Sequence, residues 1–226
     1  KRVSMYPAIA RQWRELGVQT ACQFQYDPRT LGHLNWDWPQ HYLNLWYTPE
    51  KMASFLIAGE AFHRLPRGAR AEPNDGANEG DLVFPPAAVS FARNAAILST
   101  DDCYMQARPT DWQPLPLPKS PQRIVSVGDC PFFDYDGTGL VDLRMDGNEA
   151  RLRIYSDVDR LRDALRGTEE KPLARLESRT HRFRLRVPGW ENATAQRQEG
   201  DRRIDVQSTD AGIAVTPGEY HLRRGK

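Results

Sequence analysis

Beyond residue 80 the chain breaks into short alternating segments separated by turn residues, and almost no helix signal survives there. That regularity limits the fold more than any other feature. The segments are DLVF (81–84), AVSFA (88–92), AAILS (95–99), CYMQA (103–107), RIVSVG (123–128), GLVDLRM (139–145), ARLRIYS (150–156), LARLES (173–178), HRFRLRVP (181–188), RRIDVQ (202–207), GIAVTP (212–217) and EYHLRR (219–224). Asp136-Gly137, Asp146-Gly147 and Pro217-Gly218 supply turns between several of them. Many short strands with Gly and Pro turns predict a β-sandwich. SDVDRLRDALRG (156–167) predicts one short helix capped by Ser156, and WQPLPLPKSPQ (112–122) a stiff Pro-rich connector.

The first third reads differently. YPAIARQWRELG (6–17) predicts a helix with Pro7 in its first turn, Ile9, Ala10, Trp13 and Leu16 on one face, and Gly17 as its stop. VQTACQFQY (18–26) and HYLNLWY (41–47) predict strands, joined by a loop holding Trp36, Trp38 and Pro39. TPEKMASFLIAGEAFHRLPRG (48–68) predicts a second helix. Thr48 is its N-cap, Pro49 its first residue and Glu50 a favourable charge; Met52, Phe55, Leu56, Gly59, Phe62 and Leu65 form its apolar stripe. The polar, Gly-rich GARAEPNDGANEG (68–80) reads as a linker.

Composition removes several function classes. Lys and Arg total 31 against 30 Asp and Glu, so no basic excess points to nucleic acid. No apolar run approaches the ~18 residues of a membrane span. Cys22, Cys103 and Cys130 show no zinc spacing; Cys103 with Cys130 as a disulfide, or all three as buried thiols, both fit. His33 and His41 lack an evident third metal ligand, and Asp134 and Asp136 in FDYDGTG mark a tight turn rather than a calcium loop, so no metal and no cofactor is expected. Asn192 heads a formal glycosylation sequon. The opening KRVSMYPAIARQW has neither an initiator Met nor a signal-like apolar core, and reads as the interior of a longer chain.

Strand alternation supplies the candidate site. Gln23, Gln25 and Asp27 fall on one face of the first expected strand, opposite Cys22, Phe24 and Tyr26. Tyr42, Asn44 and Trp46 share a face of the second. Amides and a carboxylate hydrogen-bond sugar hydroxyls, and Trp rings stack on a pyranose. That set suits carbohydrate better than phosphate, for which the chain has no Gly-rich loop. A polar interior satisfied by its own hydrogen bonds is the structural alternative.

QFQYDP followed by HYLNLWYTPEKMASFLIAGEAFHRLPRG resembles the last two βα units of a clan A glycoside hydrolase barrel. VSFARNAAILSTDDCYMQA, IVSVGDCPFFDYDGTGLVDL and VTPGEYHLRR resemble the β-sandwich tail of bacterial secreted hydrolase-like proteins. The resemblance implies an α/β plus all-β chain: final βα units of a TIM-type (β/α)8 barrel over 1–67, a linker over 68–85, and an antiparallel β-sandwich over 86–226. It implies hydrolysis of a glycosidic bond by paired carboxylates. The clan's nucleophile is a Glu ending strand seven; the acid in that place here is Asp27. Trp46 matches the aromatic that lines the sugar subsite at the end of strand eight. Gln25, Tyr26, Trp36, Trp38, His41 and Asn44 are the further expected sugar contacts. The acid/base partner lies on strand four in the clan, so the missing barrel segment is expected in the same gene product or as a separate chain. A polysaccharide substrate implies the periplasm or the extracellular space. A non-catalytic carbohydrate-binding or assembly protein derived from such a barrel is the alternative function, and a structural module scaffolding a larger enzyme a third.

Overall fold

The computed structural model describes residues 3, 5–22, 43–68, 81–84, 87–92, 95–108, 116–160, 174–209 and 212–225. Two helices come first, α1 (Met5–Glu15) and α2 (Pro49–Arg64). The strands follow as β1 (Asp81–Phe84), β2 (Ala87–Ala92), β3 (Ala95–Ser99), β4 (Cys103–Gln106), β5 (Arg123–Val127), β6 (Phe133–Tyr135), β7 (Leu140–Asp146) and β8 (Glu149–Ile154). The remainder are β9 (Asp157–Arg160), β10 (Ala174–Glu177), β11 (His181–Leu185), β12 (Thr194–Glu199), β13 (Arg202–Val206), β14 (Ser208–Thr209), β15 (Gly212–Val215) and β16 (Gly218–Arg223). Each strand expected beyond residue 80 has its counterpart, and β6, β9, β12 and β14 are additional.

The strands form a ten-stranded sheet in the order β1-β2-β3-β4-β5-β7-β8-β16-β12-β13, a four-stranded sheet β14-β15-β11-β6, and a β9–β10 hairpin. Among the described pairs only β4–β5 is parallel, and the Pro-rich run lies within the crossover that joins them. Gly147 opens the β7–β8 hairpin at φ 57°, a conformation glycine adopts without strain.

Middle strands of the large sheet are buried on both faces, which is why they read as nearly continuous apolar runs. Ile97, Tyr104, Ile124, Val141, Leu143 and Leu152 point to one side. There they share a core with Phe133, Tyr135, Phe183, Ile213 and Val215 of the small sheet. Leu98, Met105, Val125 and Leu140 point to the other side and meet Ala53, Ile57 and Ala61 of α2. The molecule is thus layered: helices, large sheet, small sheet. Ion pairs fix α2 at both ends, Arg108 to Glu50 at 2.8 Å and Arg64 to Asp102 at 2.9 Å.

The described chain is mostly β-sheet with two helices, and it contains no closed barrel among the described residues. Several local expectations need correction. Residues 18–22 carry no strand, and residues 45–47 form a turn where a strand was expected. The polar hydrogen-bonding groups of Asn44 and Thr48 explain the latter, because they favour a turn over a ladder. Asp157–Arg160 is strand rather than helix, paired with Ala174–Glu177. The fully buried face of α2 consists of Pro49, Ala53, Ser54, Ile57, Ala58 and Ala61; of the expected stripe, Leu65 beyond the helix end is buried in the same core and Met52 and Leu56 pack against its margin. Small side chains let the helix approach the sheet, while Phe55 and Phe62 turn toward α1. Tyr6 meets Phe55 edge-on at 5.5 Å, and Arg14 lies over the Phe62 ring at 4.9 Å. On α1, Pro7 and Ala10 are buried whereas Trp13 and Leu16 are exposed. No described helix is long and apolar enough to cross a membrane.

Candidate functional site

Of the residues expected to contact sugar, Asp27, Gln25, Tyr26, Trp36, Trp38 and His41 lie outside the described residues, as do His33 and the expected loop. Asn44 and Trp46 are described. Asn44 is fully buried, and its Oδ1 accepts the backbone N–H groups of Trp46 at 2.7 Å and Tyr47 at 3.0 Å. Thr48 sits at the N-cap but turns its hydroxyl back, donating to the Asn44 carbonyl at 2.8 Å and accepting the Asn44 N–H at 2.9 Å. The result is a tight asparagine-centred turn that feeds directly into Pro49. Trp46 stands half-buried on that turn, its ring edge-on to Tyr155 at 5.3 Å. The two site residues that are described therefore belong to the junction between α2 and the large sheet.

A second polar cluster was not anticipated. His181, at the start of β11, places Nε2 2.5 Å from Asp157 and Nδ1 2.9 Å from Asp136. Both ring nitrogens are thus occupied by carboxylate oxygens from within the fold. Asp157 is almost wholly buried and also accepts the Thr138 N–H at 2.6 Å and the Thr138 hydroxyl at 3.0 Å. Burial pushes its carboxyl up, but the His181 and Thr138 hydrogen bonds outweigh that and hold it below the usual carboxylate range. The Tyr135 hydroxyl is buried beside this cluster without a hydrogen-bond partner, and burial, aided by Asp157 and Asp136, pushes it up. A Cβ at Gly137 would lie 2.2 Å from that hydroxyl, so glycine is required there. With both ring nitrogens taken by internal carboxylates, His181 is not placed as a base toward a substrate. It ties the turn after β6 to β9 and β11. Asp134 points elsewhere, to Arg186 at 3.1 Å. The acids around FDYDGTG thus diverge, and no metal-holding group of His, Cys, Asp and Glu occurs among the described residues.

The cysteines are all free thiols. Cys103 faces the helices and Cys130 the small sheet, so the large sheet separates them. Burial pushes each thiol up to about 12, which leaves neither activated as a nucleophile.

A cleft of about 950 Å³ opens between the small sheet and the start of β12. Phe183, Trp190 and Ile213, each less than a tenth exposed, lie at its base as part of the core. Asn192, Thr194, Ser208 and Thr209 supply uncharged polar groups, and Arg184 and Arg186 balance Asp134 and Glu191. Sequence reading missed this cleft because its walls come from β6, β11, β12, β14 and β15, far apart in the chain. The one local signal was the PGWENAT run, whose Trp190 is flanked by turn residues and an amide. No known protein family, curated protein or solved structure matches this chain.

Proposed function

We propose that the chain is part of a glycoside hydrolase, with α1 and α2 as the last helices of its β/α barrel and the sheets as its attached β domain. The observation that carries this reading is the seating of α2. Its small-residue face shares one core with β3, β4, β5 and β7, and ion pairs hold both of its ends. A β domain joined in this way is built onto the helical part rather than tethered to it. The aromatic and amide pattern of residues 20–52 supplies the carbohydrate half of the argument.

On this reading Asp27 is the local carboxylate, and Gln25, Tyr26, Trp36, Trp38 and His41 line the sugar site. Trp46 adds an aromatic wall, and Asn44 is a positioning residue that shapes the turn beneath it. Retaining hydrolysis needs two carboxyl groups ~5–5.5 Å apart and inverting hydrolysis ~6.5–9.5 Å. The reading therefore requires the remaining barrel strands, with the second carboxylate, from a longer product or another chain. It also places the protein where polysaccharide is found, in the periplasm or outside the cell. The test is release of reducing ends from polysaccharides by the full gene product. Asp27→Asn should lower kcat by about a thousandfold or more while the protein stays folded. Unchanged turnover in that variant would remove Asp27 from the chemistry, and no release from any polysaccharide would remove the activity.

A further inference from the structure

The cleft on the small-sheet side has a chemistry that selects among ligands. Its charges are balanced, two arginines against two acids, and Arg186 is engaged with Asp134 and with the Cys130 carbonyl at 2.7 Å. No surplus of cations or helix N-terminus is present to favour a phosphate. Its acids do not converge on a cation. A peptide added as a strand needs an edge with a long run of backbone groups, but β14, at the edge beside the cleft, spans only Ser208–Thr209. What remains is a rim of exposed neutral donors and acceptors, Asn192, Thr194, Ser208 and Thr209, over a base of largely covered core side chains. That suits a ligand recognised through many uncharged hydroxyls. A volume of about 950 Å³ stands at the upper end of ligand pockets, which favours an oligomer over a single sugar.

We propose that this cleft is a carbohydrate-holding site for a neutral oligosaccharide, lying across the large sheet from α2. The assignment rests on the carbohydrate reading above but not on catalysis. Its role is to anchor substrate, with Asn192 and Thr194 gripping hydroxyls at the rim.

The test is calorimetric titration of the 226-residue chain with cello-, xylo-, manno- and maltohexaose, with oligogalacturonate and tripolyphosphate as charged probes. At least one neutral hexaose should bind. Asn192→Ala should weaken it about tenfold, the loss of roughly one good hydrogen bond. Thr194→Trp, which fills the cleft from an exposed position, should abolish binding without shifting the thermal midpoint. Absence of binding by every neutral hexaose overturns the proposal, as does binding that neither variant alters or a preference for either charged probe. Reducing-end release by the full product, measured in parallel, separates the two readings. Hydrolysis with no binding by this chain rejects the cleft alone; cleft-dependent binding with no hydrolysis keeps the cleft and rejects the hydrolase.

Discussion

Asp157 shows how one buried carboxylate can shape the acid response of a whole domain. Its carboxyl lies below the ordinary value of 3.8 because His181 and Thr138 stabilise the ionised form more than burial opposes it. The folded state thus binds this proton more weakly than the unfolded state does. The stabilisation is complete above the unfolded value and drains away as pH falls through 3.8 toward the folded value. Asp157→Asn should therefore destabilise the protein by about 1–3 kcal/mol at pH 7. The gap between variant and wild type should narrow below about pH 4. Urea midpoints of both proteins across pH 3 to 7 check this, and a gap that stays constant would show that the charge on Asp157 is immaterial.

At the scale of elements, the same small residues that misled the helix reading set the helix's position. Ala53 is fully buried against the sheet. Ala53→Leu should lower stability by about 1–3 kcal/mol by forcing α2 off the sheet, although leucine is nearly as good a helix former as alanine. Denaturant unfolding measures it, and a stabilised variant would mean that the interface has slack. Strand positions were legible wherever alternation was strong, as in ARLRIYS, whose Ala150, Leu152 and Ile154 are the buried half of β8. They were hidden where burial is thin. β12 buries only Ala195, and its TAQRQE run offers no apolar period. β9 has the charged sequence DVDR, which next to Ser156 reads as a capped helix start. The turn at Asn44 was misread for the opposite reason, since Leu43, Leu45 and Trp46 suggest a strand while the amide and Thr48 decide the backbone. As for the sites, no local pattern announces that His181 will meet Asp157, or that Asn192 and Ser208 will line one cleft.

For the molecule as a whole, the shared core makes a mechanical statement. α2 and the large sheet bury Ile57, Leu98, Met105 and Val125 together, so neither surface is satisfied without the other. The helices should accordingly unfold with the sheet rather than before it. Hydrogen exchange checks this: amides of α2 should show the same opening free energy as those of β5. Earlier exchange in α2 would mark it as a separately melting layer.

The position of β16 has a consequence for the order of events during synthesis. It comes after all the other described strands in sequence, yet in the large sheet it lies between β8 and β12, pairing with both. Until residues 218–223 have been made, β12 and β13 have no path of hydrogen bonds to the rest of that sheet. Both edges of the gap must wait, unpaired, for the same late segment. Long-range pairing of this kind is slow, and the waiting edges are open to wrong partners. A newly made chain is therefore open to mispairing on both sides of the gap until β16 has emerged and closed it.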